Sequence, residues 1–256
     1  MIMIKEHLHT VLKEKYNFVR YPVPFERAQT RRKRGEQSCP HIFVTRDVLF
    51  NPNLLVIVQG LGEVAPGQWA RKLFTNGEKD QWNYATQLPY IERAFHLGWA
   101  VILCDVNHGG GFIKSDRTRA HHVLRVWEDI IRRAKAECVM FVSFSAGTRA
   151  TLDLFDAIRP EFMRRVQGVA LLDGSTGREY HRSKDGRWLK EHSWFFVSGD
   201  EHKRVGENGE VVATNDHDKV PGTAVGKVFE YLMECHNWYM ASLTAVELRS
   251  YRRSLK

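Results

Sequence analysis

The stretch that most constrains this chain is Cys138 to Ile158. Residues Cys138-Val139-Met140-Phe141-Val142 are a continuous apolar run, the mark of a strand buried on both faces. The run breaks at Ser143-Phe144-Ser145-Ala146-Gly147 and resumes with helical spacing from Thr151 to Ile158. Strand, tight turn and helix together are the context of a nucleophile elbow, where a serine sits on a sharp turn at the carboxyl end of a strand. Residues two before and two after that serine must be small, because strand and helix pass close to each other. Ser143-x-Ser145-x-Gly147 meets this, with Ser143 in place of the usual first glycine, and Ser145 is the candidate nucleophile. The competing reading is a buried strand whose last serine merely caps a helix, so the rest of the chain must decide.

The 256 residues are 43% hydrophobic, enough for a substantial core. The formal charge of +8 admits an anionic partner such as RNA, and the basic run Arg31-Arg32-Lys33-Arg34 fits import or nucleic-acid contact as well as a solvated turn. Cys39, Cys104, Cys138 and Cys235 are far apart, with no zinc-binding spacing, and read as free thiols of a reducing compartment. Charged residues come too early in Met1-Ile2-Met3-Ile4-Lys5-Glu6 for a secretory leader, and no apolar run is long enough to span a membrane. The expected location is nuclear and/or cytoplasmic, not secreted.

Other elements alternate around the elbow. Ile4 to Val19 reads as a short amphipathic helix. Strands are expected at His41 to Leu49, Leu54 to Val58 and Trp99 to Asp105, and two more, within Val166 to Ser175 and Ser193 to His202, end in acids. Helices are expected at Gln87 to Phe95, His122 to Ala136 and Thr223 to Trp238, with a helical turn over Gln68 to Phe74. A second, basic helix or tail follows from Ala241. Strands alternating with helices predict an α/β fold: a mainly parallel central sheet with helices on both faces. A single domain spans 1–256, its core at about 40–240 flanked by an appended N-terminal helix and basic C-terminal segment.

The chain order is Ser145, then an acid after a later strand, then His217 ahead of the last helix. This is the Ser, Asp/Glu, His order of α/β hydrolases. A serine hydroxyl is a weak nucleophile until a histidine takes its proton, and the histidine needs an acid to fix its tautomer. Asp200, Asp173 and Glu201 are the candidate acids, Asp200 first and Asp173 next, since Asp200 follows the strand that usually carries this group. The N–H groups of Leu61, in the Gln59-Gly60-Leu61-Gly62 turn, and of Ala146 are the candidate oxyanion donors. A metal site built from His108, His121, His122, His202 or His217 lacks ligand spacing, and no cofactor is called for.

Several strings together resemble the Argonaute-binding-protein-two domain family. They are Leu55-Val56-Ile57-Val58-Gln59-Gly60-Leu61-Gly62, Ala65-Pro66-Gly67-Gln68-Trp69-Ala70-Arg71, Gln87-Leu88-Pro89-Tyr90-Ile91, Phe141 to Gly147, Val169 to Asp173 and Thr214-Asn215-Asp216-His217. The resemblance implies an α/β-hydrolase-like fold and protein partners in silencing or transcription-linked complexes. Gln59 departs from it, standing where similar sequences often carry histidine. Two functions therefore stand side by side. One is a serine hydrolase of esterase type acting on a small acyl substrate (a carboxylic ester, thioester or amide). The other is a non-catalytic binding or scaffold module of a nuclear or small-RNA silencing or chromatin complex.

Overall fold

The computed structural model describes residues 2–23, 41–75, 81–107, 116–175, 184–200, 205 and 207–254. Eight strands among them form one sheet: β1 (Val19–Pro22), β2 (His41–Val44), β3 (Asn53–Val58), β4 (Ala100–Leu103), β5 (Cys138–Phe144), β6 (Val166–Leu172), β7 (Ser193–Gly199) and β8 (Gly209–Ala213). The order across the sheet is β1-β2-β4-β3-β5-β6-β7-β8. β2 runs antiparallel to β1 and β4, and the pairs from β4 to β8 are parallel. β5, the elbow strand, lies centrally between β3 and β6 and is buried along its whole length. This is the α/β-hydrolase-like sheet expected from the sequence, and it gathers the carboxyl ends of β3 to β8 along one edge.

Helices cover both faces, as parallel strands require. Side chains of β5 alternate between two cores: Val139 and Phe141 enter one, Met140, Val142 and Phe144 the other. The first core is filled by α4 (Asp116–Asp129), α5 (Ala146–Ala157), α6 (Arg159–Arg165) and α7 (Lys184–Glu191), through residues such as Trp127, Phe155, Phe162 and Leu189. The second is filled by α1 (Ile2–Glu14), α3 (Leu88–His96) and α8 (Val220–Ser254), through Leu12, Tyr90, Ile91, Val228 and Phe229. A short α2 (Gln81–Ala85) precedes α3, which starts with Pro at its first turn and ends before Gly98, whose φ of +70° suits glycine.

The structure departs from the sequence expectations at several elements, the edge strands β1 and β8 among them. Leu8 and Leu12 of the N-terminal helix are fully buried, and a Cβ on Gly67 would come within 3.0 and 3.1 Å of them. The Gln68 to Phe74 stretch is helical only as a 3-10 turn at Lys72–Phe74. The helix expected to run to Ala136 ends at Asp129, and a 3-10 turn at Ile131–Arg133 follows. The two C-terminal helices are one, α8, of 35 residues, because neither Gly nor Pro interrupts 238–241. Cys104, Cys138 and Cys235 carry free thiols, the first two buried. No helix among the described residues is long and apolar enough to cross a membrane. The basic run Arg31 to Arg34, Cys39, His108, Glu201 and His202 lie outside the described residues.

Candidate active site

The elbow forms as its spacing requires. Ser145 has φ +52° and ψ −121°, a conformation that L-residues rarely adopt and that persists only where surroundings impose it. Its N–H donates to the Leu172 carbonyl at 2.8 Å, tying the turn to the end of β6. α5 starts at the next residue, and the smallness of Gly147 is obligatory: a Cβ there would lie 2.5 Å from the carbonyl oxygens of both Val58 and Gln59. Ser143 is tolerated in place of glycine because its buried hydroxyl has a partner, Thr151 Oγ1 at 2.7 Å on α5. A buried hydroxyl without one would carry its full desolvation cost.

The carboxylate that meets His217 is that of Asp173, one residue past β6. Its Oδ2 lies 2.7 Å from His217 Nδ1. Asp173 also has a positive φ, +43°, and its Oδ1 accepts from the Ser198 N–H at 3.1 Å. Burial pushes the Asp173 carboxyl up, but hydrogen bonds from His217 and from Ser198 outweigh it, and the group is held below the usual carboxylate range. Asp200, the acid favoured from sequence, follows β7 and is exposed. The reason for the difference is positional: β6 neighbours β5 directly, while β7 is one strand further out.

His217 opens a 3-10 turn, His217–Lys219, just before α8. Its ring lies over the Phe144 ring, centroids 4.7 Å apart and planes tilted by 30°, so the imidazole sits beside the residue preceding Ser145. The turn is held at both sides. Asp216 accepts from the Asp218 N–H at 3.1 Å, and Lys72 Nζ reaches Asp218 at 2.7 Å and Asp216 at 3.5 Å. Trp69 also meets Phe144 edge-on, ring centroids 6.0 Å apart, and is itself edge-on to Tyr90 at 5.3 Å. Gln87 braces the Trp69 segment, accepting from Gly67 N–H at 3.0 Å and donating to Gln68 O at 3.1 Å. The Gly67 to Arg71 string is thus a buttress behind the elbow.

The loop after β3 approaches Ser145 closely. A Cβ on Gly60 would come within 3.0 Å of Ser145 Cβ. Asn107, past β4, shapes the loop by donating to Gly60 O at 2.8 Å and accepting from Gly62 N–H at 3.2 Å. Leu61 is the residue between, and its side chain is half exposed. Ala146, the first residue of α5, has an N–H that helix geometry leaves without an intrahelical partner.

The structure therefore brings Ser145, His217, Asp173, the Leu61 loop and Ala146 to one edge. Sequence reading missed Lys72, Asn107, Phe144 and Ser198, which position the others. Only Asn107 had a signal, lying just past an apolar strand. Of the histidines weighed as metal ligands, His122 is buried with Nε2 accepting from the Asp105 N–H at 3.1 Å. Among the described residues no group of three His, Cys, Asp or Glu is placed to hold a metal ion.

Residues 110–203 match the model of the Arb2 domain, a span that contains Ser145 and Asp173 and stops short of His217. A FAM172 family protein homolog of Caenorhabditis elegans is 36% identical over 115 residues, covering 44% of this chain and 36% of its own length. The human cotranscriptional regulator ARB2A is 23% identical over 319 residues, covering 98% of this chain and 74% of its own. The structure of the histone deacetylase Clr3 overlays on 91% of this chain and 38% of its own with TM-score 0.59 at 16% identity, a likeness of fold. The chain thus spans only part of the length of each of these relatives.

Proposed function

We propose that Ser145, His217 and Asp173 form an acyl-transfer triad, in a chain whose residues 110–203 match the Arb2 domain model and whose sheet has the α/β-hydrolase-like strand order. The substrate class is a carboxylic ester, thioester or amide. The observation that carries this reading is the 2.7 Å contact of His217 Nδ1 with Asp173, on a histidine whose ring packs against Phe144, the residue before a serine held at φ +52°. An acid on Nδ1 leaves Nε2 to act as base.

In the proposed reaction Ser145 Oγ attacks the acyl carbon as its proton passes to His217 Nε2. Asp173 stabilises the imidazolium through the Nδ1–H bond. The N–H groups of Leu61 and Ala146 donate to the oxyanion. Its collapse breaks the bond to the leaving group, which takes the proton from His217. Water, deprotonated by the same imidazole, then releases the acid and restores Ser145. Asn107 serves to hold the Leu61 loop, and Lys72 to hold the His217 turn.

The test is p-nitrophenyl ester turnover, with fluorophosphonate labelling alongside. Ser145→Ala and His217→Ala are each expected to lower turnover by about a hundredfold or more. Equal turnover in all three proteins would leave no triad.

A second reading is favoured by the name of the human relative, a cotranscriptional regulator. In it the chain also works as a protein-binding module of a nuclear, transcription-linked complex, with RNA as a further partner through basic surface. Partner recovery unchanged by Ser145→Ala would separate that role from catalysis.

A further inference from the structure

A groove of about 720 Å³ lies at the opposite edge of the sheet from Ser145, between α8 and the start of β7. Its apolar wall is aromatic. Trp194 at the start of β7 stacks on Tyr231 of α8, with centroids 6.0 Å apart and planes 30° apart. Trp238, two turns further along α8, is 82% exposed, and no described residue covers it. The rim is acidic: Glu191, Glu210, Glu230 and Glu234 surround one lysine, Lys227, in a chain whose formal charge is +8. Lys227 is already paired with Glu210. Glu191, Glu230 and Glu234 make no ion pair among the described residues. His192, beside them, adds little positive charge, since burial pushes its imidazole pKa down.

The spacing is as telling as the charge. Glu230, Glu234 and Trp238 follow one another at intervals of four along α8. Like charges one helical turn apart repel, and no ion pair among the described residues relieves Glu230 and Glu234. Four residues of helix advance about 6 Å. An extended peptide repeats its side chains on one face about every 6.8 Å, close enough to run alongside. Guanidinium and ammonium groups are drawn both to carboxylates and to the faces of tryptophan rings.

We propose that this groove is a docking site for an extended basic peptide of a partner protein, with Arg or Lys at alternate positions set against Glu230, Glu234 and Trp238. It is separate from the Ser145 site: from Val220 to Trp238, α8 advances about 27 Å. Failure of the acyl-transfer reading would leave it untouched.

The test is fluorescence anisotropy on the full chain with a labelled peptide of alternating Arg and Ala. An alternating Glu and Ala peptide and an RNA oligomer serve as competitors. Saturable binding that weakens with added salt is expected. Trp238→Ala should weaken it about threefold or more, and Glu230→Gln/Glu234→Gln should weaken it similarly. All three side chains are exposed, and unchanged melting curves check that the variants fold. No saturation by about 1 mM peptide, equal affinity in both variants, equal affinity for the acidic peptide, or RNA binding lost in the same variants would each overturn the assignment.

Discussion

Gly174 lies so close to Ser145 that a Cβ on it would come within 2.3 Å of the Ser145 carbonyl oxygen and of Thr148 Oγ1. The residue after Asp173 thus touches the elbow itself, and the two strained turns, at Ser145 and Asp173, are one packed unit. Neither can relax alone. Gly174→Ala is expected to destabilise the protein by about 1–3 kcal/mol through overpacking and to lower fluorophosphonate labelling of Ser145. Denaturant melts and gel labelling check both, and a variant labelled at the wild-type rate would show the turns to be independent.

Asp173 and Asp200 are separable by experiment. Asp173→Asn is expected to lower the labelling rate of Ser145 strongly, since the amide favours the wrong imidazole tautomer. Asp200→Asn, at an exposed position, is expected to leave it near wild type.

The Asp173 carboxyl also predicts a pH signature. Its folded pKa lies below the ordinary value. Its contribution to stability is therefore complete above the unfolded pKa of about 3.9 and is lost as pH falls through the lower, folded value. The melting-temperature gap between wild type and Asp173→Asn should be constant near neutrality and shrink on the acid side of about pH 4. A gap that widens with acid would contradict the hydrogen bonds assigned to this group.

Lys72→Met removes the bridge from Lys72 to Asp216 and Asp218. The lysine is exposed, so stability should change by no more than about 1 kcal/mol. Ser145 labelling should fall several-fold all the same, because the turn carrying His217 loses its outer tie. Stability and labelling falling together would point to a merely structural role.

The sequence was most legible where burial was complete. β3, β5 and β6 are apolar runs buried on both faces, and their positions could be read from composition alone. β1 and β8 left no such trace. Every residue of β1 is exposed, and β8, at the other edge of the sheet, buries one residue of five. Their pairing, not their side chains, makes them strands. At the candidate site, motif and chain order single out Ser145 and His217. The acid was not legible. Asp173 and Asp200 both follow apolar strands, and only the strand order and the left-handed backbone at Asp173 turn that carboxylate toward His217. Lys72 was invisible for a similar reason, since its partners lie far along the chain.

Ser143 and Thr151 form a further testable pair. Ser143→Ala should cost about 1–3 kcal/mol by leaving the Thr151 hydroxyl buried and unpaired. The double variant Ser143→Ala/Thr151→Val should cost less than the sum of the two single changes. Denaturant melts of the four proteins give the coupling directly.

That same hydrogen bond has a genetic consequence. Positions 143 and 151, eight residues apart on strand and helix, are coupled: a buried hydroxyl at one is stabilised by a hydroxyl at the other. A lineage moving between glycine and serine at 143 must cross an intermediate with an orphaned hydroxyl, unless threonine at 151 changes with it. Position 147 has no such compensating partner, because the obstacle there is the backbone of Val58 and Gln59. A search pattern strict at 147 and permissive at 143 follows the physics of this turn, whereas one demanding glycine at both would pass this chain by.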